Sequence, residues 1–135
     1  MLSDRRVGGS PAAGGTGPAQ RAPRLSLTLS VLSGHEAEML EALRSVMAAT
    51  QTEPACASVQ VFQDVSEPQV FRYVEEWRQE EGLERRIRSR PFSRLLALME
   101  TASEAPLLEF FVGSEVRGLD YVAALRGNGA GGEKA

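Results

Sequence analysis

The chain has 135 residues, of which 42% are hydrophobic and 24% charged, and its formal net charge is −3. These values predict one globular domain with a substantial buried core, and the acidic balance argues against nucleic acid or an anionic membrane as a partner. The single cysteine, Cys56, excludes an intramolecular disulfide framework. Because the sequence has neither a membrane-spanning apolar run nor the pattern of a secretory signal, we expect a cytoplasmic protein.

Both ends of the chain are predicted to lie outside the folded domain. Residues 1–24 are rich in Gly, Pro and Ala and have few large apolar side chains, so they bury too little surface to offset the entropy of ordering. We interpret them as a disordered tail, with a Pro/Arg recognition arm as the alternative. The folded domain is then expected over residues 25–126, followed by a flexible, Gly-rich tail over residues 127–135.

The first half of the domain predicts a strand, a helix and a second strand. Residues 25–32 alternate Leu and Val with Ser and Thr, which is typical of a half-buried strand. Residues 36–50 carry apolar side chains at intervals of three and four, which predicts an amphipathic helix. Residues 55–63 read as the second strand, and residues 64–68 as a turn to an antiparallel neighbour.

The third predicted strand, residues 70–78, carries the most distinctive pattern of the chain. Phe71, Tyr73, Glu75 and Trp77 alternate along it, so all four point to the same face of the sheet. An unpaired charge in an apolar setting is costly. We therefore expect Glu75 either to find a hydrogen-bond donor, such as an arginine, or to lie at the edge of a cavity.

The second half of the domain completes an α+β plan. Helices are predicted at about residues 79–88 and 91–102, a fourth strand at 105–112, a turn or loop at 113–118, and a strand or short helix at 119–125. The order β-α-β-β-α-α-β is ferredoxin-like, with an antiparallel sheet and helices on one of its faces.

The other face of such a sheet needs a cover. We expect the row of Phe71, Tyr73 and Trp77 to lie on this open face. A second copy of the chain would cover it at little cost, so a homodimer is predicted.

The chain resembles the antibiotic biosynthesis monooxygenase (ABM) domain, over roughly residues 25–126. The residues that match its pattern are Phe71, Tyr73, Glu75, Trp77, Leu83, Ser89, Pro91 and Phe92. The resemblance implies a dimeric α/β barrel in which two sheets meet. It also implies that residues 119–125 reach across to the partner.

The resemblance further implies cofactor-independent oxygenation of small electron-rich aromatics such as quinols and anthrones. The deprotonated substrate reduces O2 directly, so the protein needs no metal or flavin; it binds the ring, helps to remove a proton and stabilises the oxyanion. Glu75 would serve as a base or an orienting group. The substrate-binding side chains would be Phe71, Tyr73, Trp77 and Phe92; the alternative is that they are only core or interface.

One position departs from the family pattern. Many members carry a His nine residues after the Trp, and here that residue is Arg86. An arginine stays protonated and is a poor general base, although it can hold a phenolate. We therefore assign Arg86 to the catalytic site as an oxyanion partner. A haem-degrading member would want a His there and an Asn in place of Leu27, so haem is not expected.

Five arginines follow the third strand closely and allow two interpretations. They are Arg85, Arg86, Arg88, Arg90 and Arg94. They could form an anion-binding mouth, or a solvated helix face in which Glu81–Arg85 and Glu84–Arg88 pair at i,i+4 spacing.

Several other functions are disfavoured by the residues present. One cysteine and one histidine leave no metal-binding cluster of these types, and no nucleotide-binding fingerprint occurs. Two alternatives to an oxygenase remain: a protein that binds an aromatic ligand without turnover, and a structural dimer whose aromatic row is all interface.

Overall fold

The structure, a computed structural model, describes residues 21–127. Its elements are β1 (Arg24–Ser30), α1 (Glu36–Gln51), β2 (Cys56–Gln63), β3 (Val70–Trp77), α2 (Glu80–Arg88), α3 (Phe92–Met99), β4 (Leu107–Val112), β5 (Glu115–Arg117), α4 (Leu119–Val122) and a final π-helical turn (Ala123–Gly127). The five strands form one sheet in the order β2-β3-β1-β4-β5, and all neighbours are antiparallel. The predicted α+β, ferredoxin-like fold is confirmed. None of the helices within residues 21–127 is long and apolar enough to span a membrane.

The aromatic row of β3 lies under the helices, so its predicted place on the open sheet face is wrong. Tyr73 pairs with Leu27 of β1, and Leu27 pairs in turn with Leu108 of β4. All three side chains are buried in the main core. The reason is that the leucines of β1 lie in register with the aromatics of β3. Together they make the more apolar face, and the helices pack against it.

The opposite face of the sheet is open and partly apolar. Phe62, Leu107 and Val116 are exposed on it by 45%, 54% and 59%. The guanidinium of Arg24 lies 4.3 Å from the ring centroid of Phe111 on the same face. This is the surface of the described domain that a second copy could cover.

The last segment of the described chain packs on its own subunit. Residues 113–118, predicted as a turn or loop, contain a Gly113–Ser114 turn followed by β5; Gly113 has a φ of +61° that favours glycine. Residues 119–125 are helical, and the ring of Tyr121 lies 5.1 Å from that of Phe110. Its reach across to a partner subunit stays a prediction.

The folded domain begins slightly earlier than predicted. Pro23 is buried, and its carbonyl accepts a hydrogen bond of 2.9 Å from the backbone N–H of Trp77. Residues 23 and 24 thus belong to the fold rather than to the predicted tail. Residues 1–20 and 128–135 of the two predicted tails lie outside the described residues.

Candidate active site

Glu75 is the centre of a buried hydrogen-bond network. Its side chain has no solvent exposure, and it accepts 2.6 Å from the hydroxyl of Tyr73 and 3.0 Å from Nε1 of Trp77. The alternation of β3 places all three side chains on one face, where the two aromatic donors flank the carboxylate. We expected Glu75 to have a hydrogen-bond donor, and its own strand supplies two of them, Tyr73 and Trp77.

Arg86 of α2 completes this network. Its Nη2 donates to Oε2 of Glu75 at 2.8 Å, and its Nε lies 3.1 Å and 3.3 Å from the two carboxylate oxygens. Both carboxylate oxygens are therefore engaged in charge-assisted bonds. Of the two roles predicted for Glu75, this geometry suits the orienting group, because a carboxylate with both oxygens occupied has no free lone pair aimed at a ligand.

The pKa values in the network keep the arginine charged and the tyrosine neutral. Burial raises the pKa of Tyr73 far above its usual range, and the charge of Glu75 raises it further. Burial acts to lower the pKa of Arg86, but the charge and hydrogen bonds of Glu75 outweigh burial, so the pKa of Arg86 is raised. Arg86 is thus a fixed cation and does not act as a base.

Trp77 is held between the network and the start of α2. A Cβ on Gly82 would lie 2.9 Å from Cβ of Ala55 and 3.3 Å from Cε3 of Trp77. Only a glycine lets the helix approach the indole this closely. The sequence signal for this contact was the Gly inside an otherwise helical pattern.

A pocket of about 220 Å³ opens beside Trp77 and Arg86. It lies between the C-terminal half of α1 and the helices α2 and α3. The residues that line it are Val46, Ala49, Thr50, Glu53, Trp77, Gly82, Arg85, Arg86, Ser89, Pro91 and Arg94. Arg86 is one of these lining residues, and among the described residues its Nη1 has no hydrogen-bond partner.

Only two of the six predicted site residues line this pocket, Trp77 and Arg86. Phe71, Tyr73 and Phe92 are fully buried core residues that lie outside its lining. Tyr73 is connected to the pocket through its hydrogen bond to Glu75, which in turn binds Arg86. Phe92 lies beneath Arg86, whose guanidinium carbon is 5.3 Å from the ring centroid. A direct contact of these three aromatics with a substrate stays a prediction.

The arginine cluster divides between the pocket and solvent. Arg85, Arg86 and Arg94 line the pocket, whereas Arg88 and Arg90 are exposed elsewhere. Within the part of the chain that the structure describes, neither Glu81–Arg85 nor Glu84–Arg88 forms an ion pair, so the predicted i,i+4 pairing is wrong. Of the three arginines that line the pocket, Arg86 is paired with Glu75, whereas Arg85 and Arg94 have no carboxylate within 4.0 Å among the described residues.

Sequence reasoning missed the contribution of α1. Thr50 and Glu53 line the pocket from the end of this helix, and Thr50 Oγ1 lies 3.5 Å from the hydroxyl of Tyr73. For Glu53 the only sequence signal was its place at the end of a predicted helix. Glu53 is the single carboxylate among the described residues that line the pocket. Within residues 21–127, no group of three or more His, Cys, Asp or Glu side chains could hold a metal ion.

Residues 24–97 match a family model described as antibiotic biosynthesis monooxygenase. The structure is similar to that of a conserved protein from Methanosarcina mazei, with a TM-score of 0.62, 23% identity, and coverage of 70% of this chain and 95% of that one. For a conserved protein of unknown function from Bacteroides thetaiotaomicron, the TM-score is 0.61 and the identity 23%, and the match covers 69% of this chain and 98% of that one. For a structure described as an antibiotic biosynthesis monooxygenase, the TM-score is 0.58 and the identity 17%, and the match covers 65% of this chain and 94% of that one. These identities show a shared fold, and no protein of curated function matches the chain.

Proposed function

The chain belongs to the antibiotic biosynthesis monooxygenase family, and on this premise we propose that it oxidises a small quinol-type or anthrone-type aromatic with O2, without a cofactor. The ring would stack on Trp77, and its oxyanion would accept a hydrogen bond from Nη1 of Arg86. Glu75 would keep Arg86 in place rather than touch the substrate.

The observation that carries this proposal is the place of Arg86 in the lining of the pocket, with its guanidinium held by Glu75. A preorganised cation stabilises a phenolate or enolate without reorganisation as the charge develops. Three hydrogen bonds to Glu75 hold the guanidinium, which therefore does not need to move when the ligand binds.

The oxidation balances without any further reductant. The ring hydroxyl of a hydroquinone loses its proton, and the anion passes one electron to O2, which gives a ring radical and superoxide. These combine in a C–O bond, the O–O bond then breaks, and water leaves to give a hydroxyquinone. One oxygen atom enters the product, the other becomes water, and the substrate supplies all four electrons. The pocket mouth is formed by the exposed charged residues of its lining, Glu53, Arg85 and Arg94. Glu53 and water accept the proton there.

Oxygen uptake by the metal-stripped protein tests this function, with a panel of hydroquinones and anthrones. Ala49→Phe fills the pocket from α1, and Ala48→Phe is the matched control, since the adjacent Ala48 is exposed and does not line the pocket. We expect uptake above the spontaneous rate in the wild type and the control, and its loss in Ala49→Phe. Equal uptake in both variants would refute a reaction in this pocket.

Binding without turnover is the second candidate, and one observation favours it. No free base faces the pocket on α2, because the position of the family His holds Arg86, and both oxygens of Glu75 are bonded. Trp77 is the only tryptophan of the chain, so its fluorescence reports binding directly. Quenching by the same compounds with no oxygen uptake would select this candidate.

The open sheet face supports a homodimer as the functional assembly. Phe62, Leu107 and Val116 expose apolar surface that a second copy would bury. We expect light scattering to give about twice the chain mass of 14.6 kDa. Phe62→Asp together with Val116→Asp should give a monomer with an unchanged helix content. A monomeric wild type at micromolar concentration would overturn the dimer.

A further inference from the structure

We propose that the substrate is a single-ring hydroxyaromatic that also carries a carboxylate, and that Arg85 and Arg94 bind this carboxylate at the pocket mouth. This inference rests on the proposed function, because it names the substrate class of the same pocket. The carboxylate gives the ligand a second, anionic contact with the protein, separate from the ring oxygen that binds Arg86.

The volume of the pocket limits the ring system. A cavity of about 150 Å³ holds one benzene, and this pocket has about 220 Å³. The difference accommodates substituents on one ring. A three-ring anthrone would extend past the mouth, so a substituted hydroquinone is the better fit of the two compound classes.

The charges around the pocket call for one negative charge on the ligand. Arg86 is neutralised by Glu75 behind it. At the mouth, Arg85 and Arg94 stand against Glu53 alone, which leaves one positive charge in excess. Among the described residues, neither of these two arginines has a carboxylate within 4.0 Å.

The total charge of the pocket and ligand also stays the same during the chemical step. A carboxylate on the ligand supplies the missing negative charge before the reaction begins. If the ring hydroxyl then loses its proton to Glu53, the ligand gains one negative charge and the mouth loses one. The sum of charges in the pocket therefore stays unchanged as the oxyanion forms on Arg86.

The two mouth arginines come from different helices, and one of them is held in place. Arg85 lies on α2 and Arg94 on α3, so they can approach a carboxylate from two sides. Nη2 of Arg94 donates a 2.8 Å hydrogen bond to Oγ of Ser45 on α1, and its other donors have no partner within residues 21–127. A fixed guanidinium loses less entropy when it binds an anion.

Anaerobic titration of Trp77 fluorescence separates recognition from oxidation. The probes are gentisate, which is hydroquinone with one carboxylate, its methyl ester, and hydroquinone itself. In the wild type we expect gentisate to bind about tenfold tighter than the ester. Arg85→Gln with Arg94→Gln should abolish this preference. Arg88→Gln with Arg90→Gln is the matched control, because it removes the same charge outside the pocket and should keep the preference.

The outcomes distinguish this inference from the proposed function. Equal binding of the acid and the ester, or an equal loss of preference in both double variants, would overturn the carboxylate site and leave the oxygen-uptake test unaffected. Absence of quenching by all three probes would also overturn it. Selective binding of gentisate without oxygen uptake would support the carboxylate site and refute the oxygenase.

Discussion

Replacement of Arg86 by methionine tests whether the buried ion pair holds the site together. The change keeps an unbranched, largely apolar stem and removes the guanidinium with its charge. Of the five hydrogen bonds to Glu75, only those from Tyr73 and Trp77 would remain. The two side chains of the pair are 5% and 0% exposed, so the value for buried pairs applies. We expect a loss of about 3–5 kcal/mol in the free energy of unfolding, rather than the 0–1 kcal/mol of a surface pair.

Urea denaturation at neutral pH, followed by circular dichroism and by Trp77 fluorescence, measures this loss. Arg85→Met is the matched control, because the neighbouring Arg85 is exposed and should change stability by less than about 0.5 kcal/mol. Adding Glu75→Gln to Arg86→Met removes the carboxylate charge that the single variant leaves unpaired. We expect this double variant to recover about 2 kcal/mol or more relative to the single variant.

Two results would contradict the reasoning. A loss below about 1 kcal/mol in Arg86→Met would show that water or a rearranged side chain replaces the guanidinium at little cost. A double variant less stable than the single one would show that the lost contacts of Arg86, and not the unpaired charge of Glu75, set the stability.

Three further changes have defined outcomes. Gly82→Ala should destabilise the protein by about 1–2 kcal/mol in urea unfolding, because the clash of the new Cβ with Ala55 costs more than the gain in helix propensity. Gly127→Ala is the control: its Cβ would have nothing within 4 Å, so its effect should be nearly neutral. Burial raises the pKa of Tyr73 and of Tyr121, so the folded state keeps protons that the unfolded state loses near pH ~10. Stability should therefore fall as the pH rises above about 10, and native protein at pH ~11 should show less tyrosinate absorbance than unfolded protein at the same pH. Full tyrosinate absorbance in native protein at that pH would refute this. Arg126→Leu removes three hydrogen bonds, to Ile87 in α2, to Ser89 after it and to Ser93 in α3, and should lower the melting temperature by several degrees. An unchanged melting temperature would show that those bonds contribute nothing.

Local patterns were sufficient to predict most of the fold. The alternation in β3 correctly placed Glu75 between Tyr73 and Trp77, and the apolar periodicity located the helices close to their observed bounds. The covered face of the sheet was assigned wrongly, because the choice depends on the register between β1 and β3. Register is the alignment of two strands that here are far apart in sequence, and neither strand determines it alone.

The candidate site was predictable only in part, for the same reason. Arg86 was identified through the family resemblance, because it occupies the position of the family His nine residues after Trp77. Its bonds to Glu75 depend on how α2 packs on the sheet. Glu53 belongs to the pocket because the end of α1 lies over the end of β3. Such convergence of separate elements leaves no pattern in either one.

The central position of β1 has a consequence for the synthesis of the chain. This strand ends at Ser30, yet its two partners in the sheet begin only at Val70 and Leu107. At about 5–20 residues per second, its leucines emerge roughly 4–15 s before the second partner exists. The edge of β1 that pairs with β4 is unpaired backbone throughout that interval, and contacts so distant in sequence slow folding. A ribosome that stalls before β4 would therefore carry a chain whose central strand is open to pairing with other nascent chains.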